Sequence, residues 1–241
     1  MNGFIDIVDT YWKAYLWTDG YKLSGLVITL WLLAISVFLG FILSIPLSVA
    51  RVSKNKWVSK PVWFYTYIFR GTPLYVQLLL IYSGLYSLDV VRNVDVLNSF
   101  FKEGMNCTIL AFALNTCAYT TEIFAGAIKA TPYGEIEAAR AYGMTKFTAY
   151  RRIILPSALR RALPAYSNEV IFMLHSTPIA FSATVPDLLK VARDANAATY
   201  RSFEAFGLAA LIYLCITFSL VWVFRRAERR WLAYLQPRRA K

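Results

Sequence analysis

The sequence predicts an all-α integral membrane protein with five transmembrane helices. Of its 241 residues, 58% are hydrophobic and only 17% are charged, whereas soluble domains carry about 25% charged residues. The 26 Lys and Arg residues outnumber the 14 Asp and Glu residues, but they lie mainly in connections between apolar segments. This placement is typical of a membrane protein rather than of a nucleic-acid-binding protein. The apolar content also excludes a disordered chain.

Five segments are long and apolar enough to cross a bilayer. A hydrocarbon core of about 30 Å needs roughly 20 residues of helix at ~1.5 Å per residue. The segments are residues 23–50, 61–87, 104–128, 163–185 and 203–224. We expect these helices to form a single transmembrane domain that comprises residues 1–241.

Loop charge predicts the orientation, because cytoplasmic connections are enriched in Lys and Arg. Residues 51–60 carry four basic residues and no acidic one, residues 129–162 carry seven and two, and residues 225–241 carry seven and one. The connections on the other side are nearly balanced. The N-terminus is therefore expected outside the cell and the C-terminus in the cytoplasm.

The longest cytoplasmic connection, residues 129–162, predicts two short helices rather than a flexible linker. Helix-forming residues begin at Glu135, and Gly143 is expected to end the first helix. The second helix is expected over residues 146–154, and Pro156 is expected to break it. The apolar faces of these helices must pack either on the chain's own helices or on a partner protein, and both alternatives remain open at this point.

This connection carries a recognisable motif. Glu137-Ala138-Ala139, Gly143 and Ile153-Ile154-Leu155-Pro156 follow the spacing E-A-A-x3-G-x9-I-x-L-P, which resembles the cytoplasmic loop of bacterial ABC importer permeases. Residues 69–77 and 119–126 resemble further motifs of the polar amino acid subfamily. Nearly the whole chain is similar to the M-type permease subunit of the histidine/lysine/arginine/ornithine importer family.

The resemblance implies a type I ABC importer permease fold in the bacterial inner membrane and transport of basic amino acids. It implies three kinds of protein partner: a paralogous permease, two ATPase subunits and an extracytoplasmic amino-acid-binding protein. A heterodimer with the second permease is expected, and a homodimer is the alternative. In that family the loop contacts the ATPase and transmits its movement, which assigns ATPase coupling to Glu137, Ala138, Ala139, Gly143, Ile153, Leu155 and Pro156.

The chain is expected to be non-catalytic. It contains no G-x-x-x-x-G-K-[ST] run with which to hold a nucleotide, so ATP and magnesium are expected on the partner subunits, and no cofactor is expected in this chain. His175 is the only histidine, so neither a histidine-based metal site nor a Ser-His-Asp triad is expected. We interpret His175 as a lone satisfied polar residue.

Ionisable side chains at membrane depth are costly and therefore mark candidate sites. Glu169 lies in the fourth predicted span, and we expect its carboxylate to receive the cationic group of a basic amino acid. The alternative is an ion pair with Arg70 that stabilises the bundle. Arg70 precedes Gly71-Thr72-Pro73, where the helix is expected to break; its guanidinium either meets the substrate carboxylate or holds the break together.

A polar stripe runs along the third predicted span. Asn115, Tyr119, Glu122 and Gly126 have the spacing of a single helix face. We expect Asn115 and Tyr119 to line the substrate path. For Glu122 we favour interhelical hydrogen bonding of the kind that holds membrane bundles together.

Two other functions compete with the importer permease. The apolar spans alone also permit a stand-alone secondary carrier or channel for small polar solutes. Five spans are an odd number for an inverted-repeat carrier, however, and the helical cytoplasmic loop has no role there. An intramembrane hydrolase lacks a nucleophile–base pair, since the sequence has one histidine and no G-x-S-x-G run.

Overall fold

The computed structural model of the protein describes residues 2–233, and every regular element in that range is helical. The prediction of an all-α protein is therefore confirmed. The α-helices are α1 (Asn2–Leu16), α2 (Gly25–Arg51), α3 (Lys56–Gly71), α4 (Leu74–Leu79), α5 (Asp89–Asn93), α6 (Asp95–Lys102), α7 (Gly104–Lys129), α8 (Tyr133–Ala141), α9 (Lys146–Ala149), α10 (Leu155–Ser176), α11 (Leu188–Thr199) and α12 (Ser202–Trp231).

The long helices α2 and α7 pack closely along their length, because α2 presents small residues to α7. Ser36, Gly40, Ser44 and Ser48 recur every fourth position and are all buried. A Cβ atom added to Gly40 would lie only 2.4 Å from Cγ2 of Thr116. Without a hydrophobic drive between helices in lipid, such a stripe of small residues lets two backbones approach closely.

The second predicted span is two helices rather than one. Helix α3 ends at Gly71, Thr72 and Pro73 are extended, and α4 begins at Leu74. The predicted break is thus confirmed, and its cause is the proline, which restricts the residue before it to an extended conformation. A π-helical turn (Leu80–Gly84) and a 3₁₀ turn (Leu85–Ser87) complete this segment.

The prediction that Pro156 breaks a helix is wrong. Helix α9 passes through a π-helical segment, Tyr150–Ile154, directly into α10. Pro156 lies in the first turn of α10, directly after the π-helical segment, and a local π-helical adjustment of this kind lets a helix continue past a proline. The fourth apolar segment is therefore the continuation of a helix that starts in the preceding loop, and a 3₁₀ segment, Thr177–Ala183, ends it.

Two shorter helices, α1 and α11, cover one end of the bundle. The hydroxyl of Tyr15 in α1 donates to the carbonyl of Ala205 over 2.9 Å, and Arg201 pairs with Asp6 at 2.8 Å. Helix α11 begins at a buried N-cap, Asp187, whose carboxylate accepts from the backbone N–H groups of the first turn.

By length and composition alone, α2 and α12 are the helices of residues 2–233 that qualify as membrane spans. The five spans remain a prediction.

Candidate functional site

Three structural elements meet around a cavity of about 490 Å³. They are the break between α3 and α4, the middle of α7, and the second half of α10. The four residues for which the sequence predicts substrate binding all line this cavity: Glu169, Arg70, Asn115 and Tyr119. The remaining lining residues are Gly71, Thr72, Pro73, Leu74, Phe172, Met173 and Ser176.

Glu169 places a carboxylate on the cavity wall, and the residue is only 8% exposed. Among residues 2–233 it forms no ion pair with Arg70, so the alternative of a bundle-stabilising pair is not what the structure contains. The guanidinium of Arg70 instead lies over the ring of Tyr119, 5.3 Å from its centroid. Glu169 and Arg70 thus line the same cavity without forming an ion pair with each other.

The helix break is held by two side-chain amides. Nε2 of Gln77 donates to the carbonyls of Phe69 (2.8 Å) and Thr72 (3.0 Å). Nδ2 of Asn115 donates to the Phe69 carbonyl and to Oε1 of Gln77, both at 3.1 Å. These bonds satisfy carbonyls that a proline break releases from the helix. Asn115 therefore anchors the break as well as lining the cavity.

Gln77 is a residue of this site that was not predicted from the sequence. The available signal was an amide four residues after Pro73 in an otherwise apolar run. A buried amide needs hydrogen-bond partners, and the carbonyls that the proline break releases from the helix supply them. The other lining residues, such as Phe172 and Ser176, carried no comparable signal.

Tyr119 also contributes to the break, since its hydroxyl donates to the backbone carbonyl of Arg70 over 3.3 Å. The backbone carbonyl of Arg70, not its guanidinium, is what this bond fastens, and both alternatives for the guanidinium stay predictions. The Arg70 side chain lines the cavity.

Glu122 and His175 lie outside the lining of this cavity. Glu122 accepts from Nε of Arg51 at 2.6 Å and from Oγ1 of Thr66 at 2.7 Å, and so joins α7 to α2 and α3 as the interhelical interpretation predicts. Nε2 of His175 is 3.2 Å from Oγ1 of Thr217, which connects α10 to α12.

The predicted coupling loop forms a second candidate site. Its inner face packs on the chain itself: Ala139 is 3% exposed, and Ile154 joins a small core with Ile128 and Ala158. Its outer face is open, with Glu137 and Ala138 exposed. The same outer region exposes three large aromatic side chains: Tyr133, Tyr142 and Phe147. Packing on the chain itself is therefore observed for the inner face, and docking of the outer face on a partner protein stays a prediction.

Gly143 ends α8 in a conformation that favours glycine. Its φ is +65°, its N–H donates to the Arg140 carbonyl at 2.9 Å, and the N–H of Met144 donates to the Ala139 carbonyl at 3.1 Å. This is the usual way for a glycine to close a helix. The other motif residues, Ile153, Leu155 and Pro156, are half-buried where the loop enters α10.

The chain matches a known protein family over most of its length. Residues 36–233 match the family described as "Binding-protein-dependent transport system inner membrane component". The histidine/lysine/arginine/ornithine transport system permease protein HisM of Salmonella typhimurium is 64% identical over 97% of this chain and 100% of its own length. The nopaline transport system permease protein NocM of Agrobacterium fabrum is 46% identical over 86% of each chain.

Solved structures show the same architecture. The crystal structure of an amino acid ABC transporter with histidines superimposes with a TM-score of 0.79 at 32% identity and covers 94% of this chain and 98% of that one. The methionine transporter MetNI in an inward-facing conformation gives a TM-score of 0.73 at 19% identity over 86% of this chain and 94% of that one. The second likeness concerns the fold alone.

Proposed function

Because this chain belongs to the family of binding-protein-dependent transport system inner membrane components, we propose that it is the permease subunit of an ATP-driven importer of basic amino acids. The observation that carries the substrate assignment is the carboxylate of Glu169, buried on the wall of a cavity that also presents Arg70. Histidine, arginine, lysine and ornithine are the substrates named for the relative from Salmonella typhimurium.

The charges of the cavity complement those of a basic amino acid. Such a substrate carries a cationic side chain and an α-carboxylate, and the cavity offers Glu169 to the first and Arg70 to the second. Charge pairs are stronger in a partly buried site than in water, because the effective dielectric constant is lower. Tyr119 holds the Arg70 guanidinium by a cation–π contact, and the aromatic and thioether groups of Phe172 and Met173 supply apolar contacts for the substrate stem.

The chain functions in the bacterial inner membrane as a single transmembrane domain of five spans. Its N-terminus is outside and its C-terminus is in the cytoplasm, as the loop charges indicate. A second permease completes the path; we favour a paralogue, and a second copy of this chain is the alternative. An extracytoplasmic binding protein delivers the amino acid, and two ATPase subunits bind and hydrolyse ATP.

The outer face of the cytoplasmic loop is the ATPase contact. Glu137 and Ala138 are exposed there beside the aromatic side chains of Tyr133, Tyr142 and Phe147, and exposed apolar groups of this kind mark protein interfaces. A groove of about 540 Å³ lies between α8 and the start of α10. The packed inner face of the loop passes any movement of the ATPase to the helices behind it.

Uptake by the reconstituted complex tests the substrate assignment. Proteoliposomes that contain this chain and its partners should import labelled L-arginine, and unlabelled histidine, lysine and ornithine should compete while glutamate and leucine should not. Glu169→Gln should lower uptake of basic amino acids at least tenfold without changing assembly. Glu103→Gln is a matched control, because Glu103 is an exposed carboxylate outside the cavity.

Competition by neutral or acidic amino acids alone would refute the substrate class. The coupling role has its own test: replacing Glu137 with Arg should reduce the ATPase subunit that co-purifies with this chain. Full co-purification together with normal ATP-dependent uptake would contradict the assignment of this face to the ATPase.

A further inference from the structure

The cytoplasmic end of α12 carries an unusually dense positive charge. Arg225, Arg226, Arg229 and Arg230 lie within six residues and all four are exposed. The one acidic residue among them, Glu228, faces the bundle, where it accepts from the hydroxyl of Ser167 at 3.3 Å. The arginine charges are therefore directed outward together.

A deep apolar cavity begins beside these arginines. It has a volume of about 980 Å³ and lies between α2, α7, α10 and α12. Its inner wall is an aromatic cluster in which Tyr166 lies 5.4 Å from Phe41, 5.7 Å from Phe124 and 6.4 Å from Phe224, measured between ring centroids. Among the described residues, its charged lining consists of two arginines, Arg160 and Arg230.

The distance along the helices from the aromatic wall to the charged helix ends is close to the thickness of one bilayer leaflet. Phe41 precedes the last residue of α2, Arg51, by ten positions, and Phe224 precedes Arg230 by six. At ~1.5 Å per helical residue the aromatic wall extends roughly 9–15 Å from the charged ends of the helices. Half of a hydrocarbon core of about 30 Å is about 15 Å.

We propose that this cavity binds an anionic phospholipid of the cytoplasmic leaflet. The phosphate pairs with Arg160 and Arg230, and an acyl chain lies against the aromatic wall formed by Phe41, Tyr166 and Phe224. Arg225, Arg226 and Arg229 add an attractive field for further anionic headgroups, as basic clusters beside membrane helices do. The inference rests on the proposed orientation, which puts the C-terminus of α12 in the cytoplasm.

Two features favour a lipid over a soluble anion. The wall of the cavity is predominantly apolar, with side chains such as Leu159, Leu163 and Val223, and a free phosphate would leave this surface in contact with water. The two charged lining residues, Arg160 and Arg230, each lie six positions from the aromatic wall, at Tyr166 and Phe224 respectively, toward the proposed cytoplasmic side. The headgroup of a lipid in the cytoplasmic leaflet would lie at that level. The charge pattern and the apolar depth thus fit the two parts of one amphipathic ligand.

Native mass spectrometry of the delipidated importer complex tests the proposal. The wild-type complex should retain added phosphatidylglycerol at least fivefold more than phosphatidylethanolamine, and 10 mM inorganic phosphate should not displace it. The double variant Arg160→Gln/Arg230→Gln should lose this preference. The control Lys54→Gln/Lys129→Gln removes two exposed charges from the same side of the protein and should keep it.

A second variant separates lipid binding from assembly. Leu159→Trp adds bulk to the cavity without changing charge, and it should lower phosphatidylglycerol retention at least threefold even if the arginine variant fails to assemble. Equal retention of the two lipids, or displacement by phosphate, would overturn the proposal. So would a cross-link from the Leu159→Cys variant to the paired permease, since protein would then cover the cavity. Normal amino acid uptake in these cases would leave the proposed function intact.

Discussion

Nη2 of Arg161 donates to Oγ1 of Thr131 over 2.8 Å, and this bond ties α10 to the start of the cytoplasmic loop. The same guanidinium donates to Ser157 in α10 and to the Ala127 carbonyl in α7, and it lies 3.7 Å from the carboxylate of Glu135 in α8. One side chain therefore connects the loop to two long helices. Within the described part of the chain, Nε of Arg161 and Oε2 of Glu135 are buried without hydrogen bonds, so this pair is only partly engaged.

Arg161→Gln should uncouple ATP hydrolysis from transport. The variant removes the forked donor that holds Thr131 and Glu135, and a buried partner left unpaired costs about 1–3 kcal/mol. We expect uptake per ATP hydrolysed to fall at least fivefold in proteoliposomes, and Arg161→Lys, which keeps the charge without the fork, to give an intermediate ratio.

Arg151→Gln is the matched control, because Arg151 is an exposed arginine of the same loop. An unchanged ratio for Arg161→Gln in an assembled complex would show that this network does not transmit movement.

Gly143→Ala should weaken the end of α8. The φ of +65° at this position is unfavourable for any residue with a Cβ atom, at a cost of about 1–2 kcal/mol. We expect a lower thermal unfolding temperature of the purified complex and a weaker hold on the ATPase subunit in pull-down experiments. Gly134→Ala is the control, since no atom lies within 4 Å of a Cβ added there; equal effects of the two substitutions would contradict the backbone argument.

Gln77→Leu should destabilise the break between α3 and α4. It removes the Nε2 donor to the carbonyls of Phe69 and Thr72, and we expect a loss of about 1–3 kcal/mol in unfolding free energy together with reduced uptake. Ser87→Ala removes only a local bond to the Gly84 carbonyl and should stay close to wild type. A wild-type melting curve for Gln77→Leu would mean that Asn115 and Tyr119 secure the break without Gln77.

The stability of the protein should depend on pH through Asp187, which lies in the connection before α11, outside the membrane-spanning helices. Its side chain is fully buried, and burial raises the pKa of Asp187 to about 7, although hydrogen bonds from the N–H groups of Leu189 and Lys190 oppose the rise. An unfolded aspartate has a pKa of about 3.9. Between these values the folded state binds a proton that the unfolded state has lost, so stability should fall as pH rises from about 4 to about 7.

Asp187→Asn should remove this dependence, because asparagine keeps the helix cap and cannot ionise. We expect the variant to unfold at a higher temperature than wild type at pH 8 and at a similar temperature at pH 4. Asp194→Asn is the control, since Asp194 is exposed and pairs with Lys190 on the surface. Parallel pH profiles for wild type and Asp187→Asn would exclude Asp187 as the titrating group.

The parts of the fold that depend on local chemistry follow from the sequence. The break before Pro73 and the helix end before Gly143 are properties of one or two residues, and the structure has both. The break expected at Pro156 is absent because a proline gives the same sequence signal whether it ends a helix or lies in one that continues through a π-helical turn. Only the π-helical junction, Tyr150–Ile154, decides between them.

Contacts between distant segments could not be read from the sequence in the same way. Glu122 and Arg51 form a hydrogen bond although they are far apart in the chain. Gln77 and Asn115 form one because α4 packs against α7. The sequence selected Glu169 and Arg70 by the cost of ionisable groups in a membrane, and Asn115 and Tyr119 by their spacing on one helix face. Both criteria are local, and the structure places the four residues around one cavity. Neither criterion selected Gln77, because its importance arises from the carbonyls that it meets.

The helix is uninterrupted from Lys146 to Ser176. A tilt at its cytoplasmic end would therefore produce a larger displacement at its other end. Glu169 lies about 35 Å from Lys146 at ~1.5 Å per residue, so a tilt of only about 5° at the cytoplasmic end would swing the carboxylate by roughly 3 Å. That is the length of a hydrogen bond. Under the proposed function, a small tilt of the loop at the ATPase contact would therefore be sufficient to make or break a contact between Glu169 and the transported amino acid.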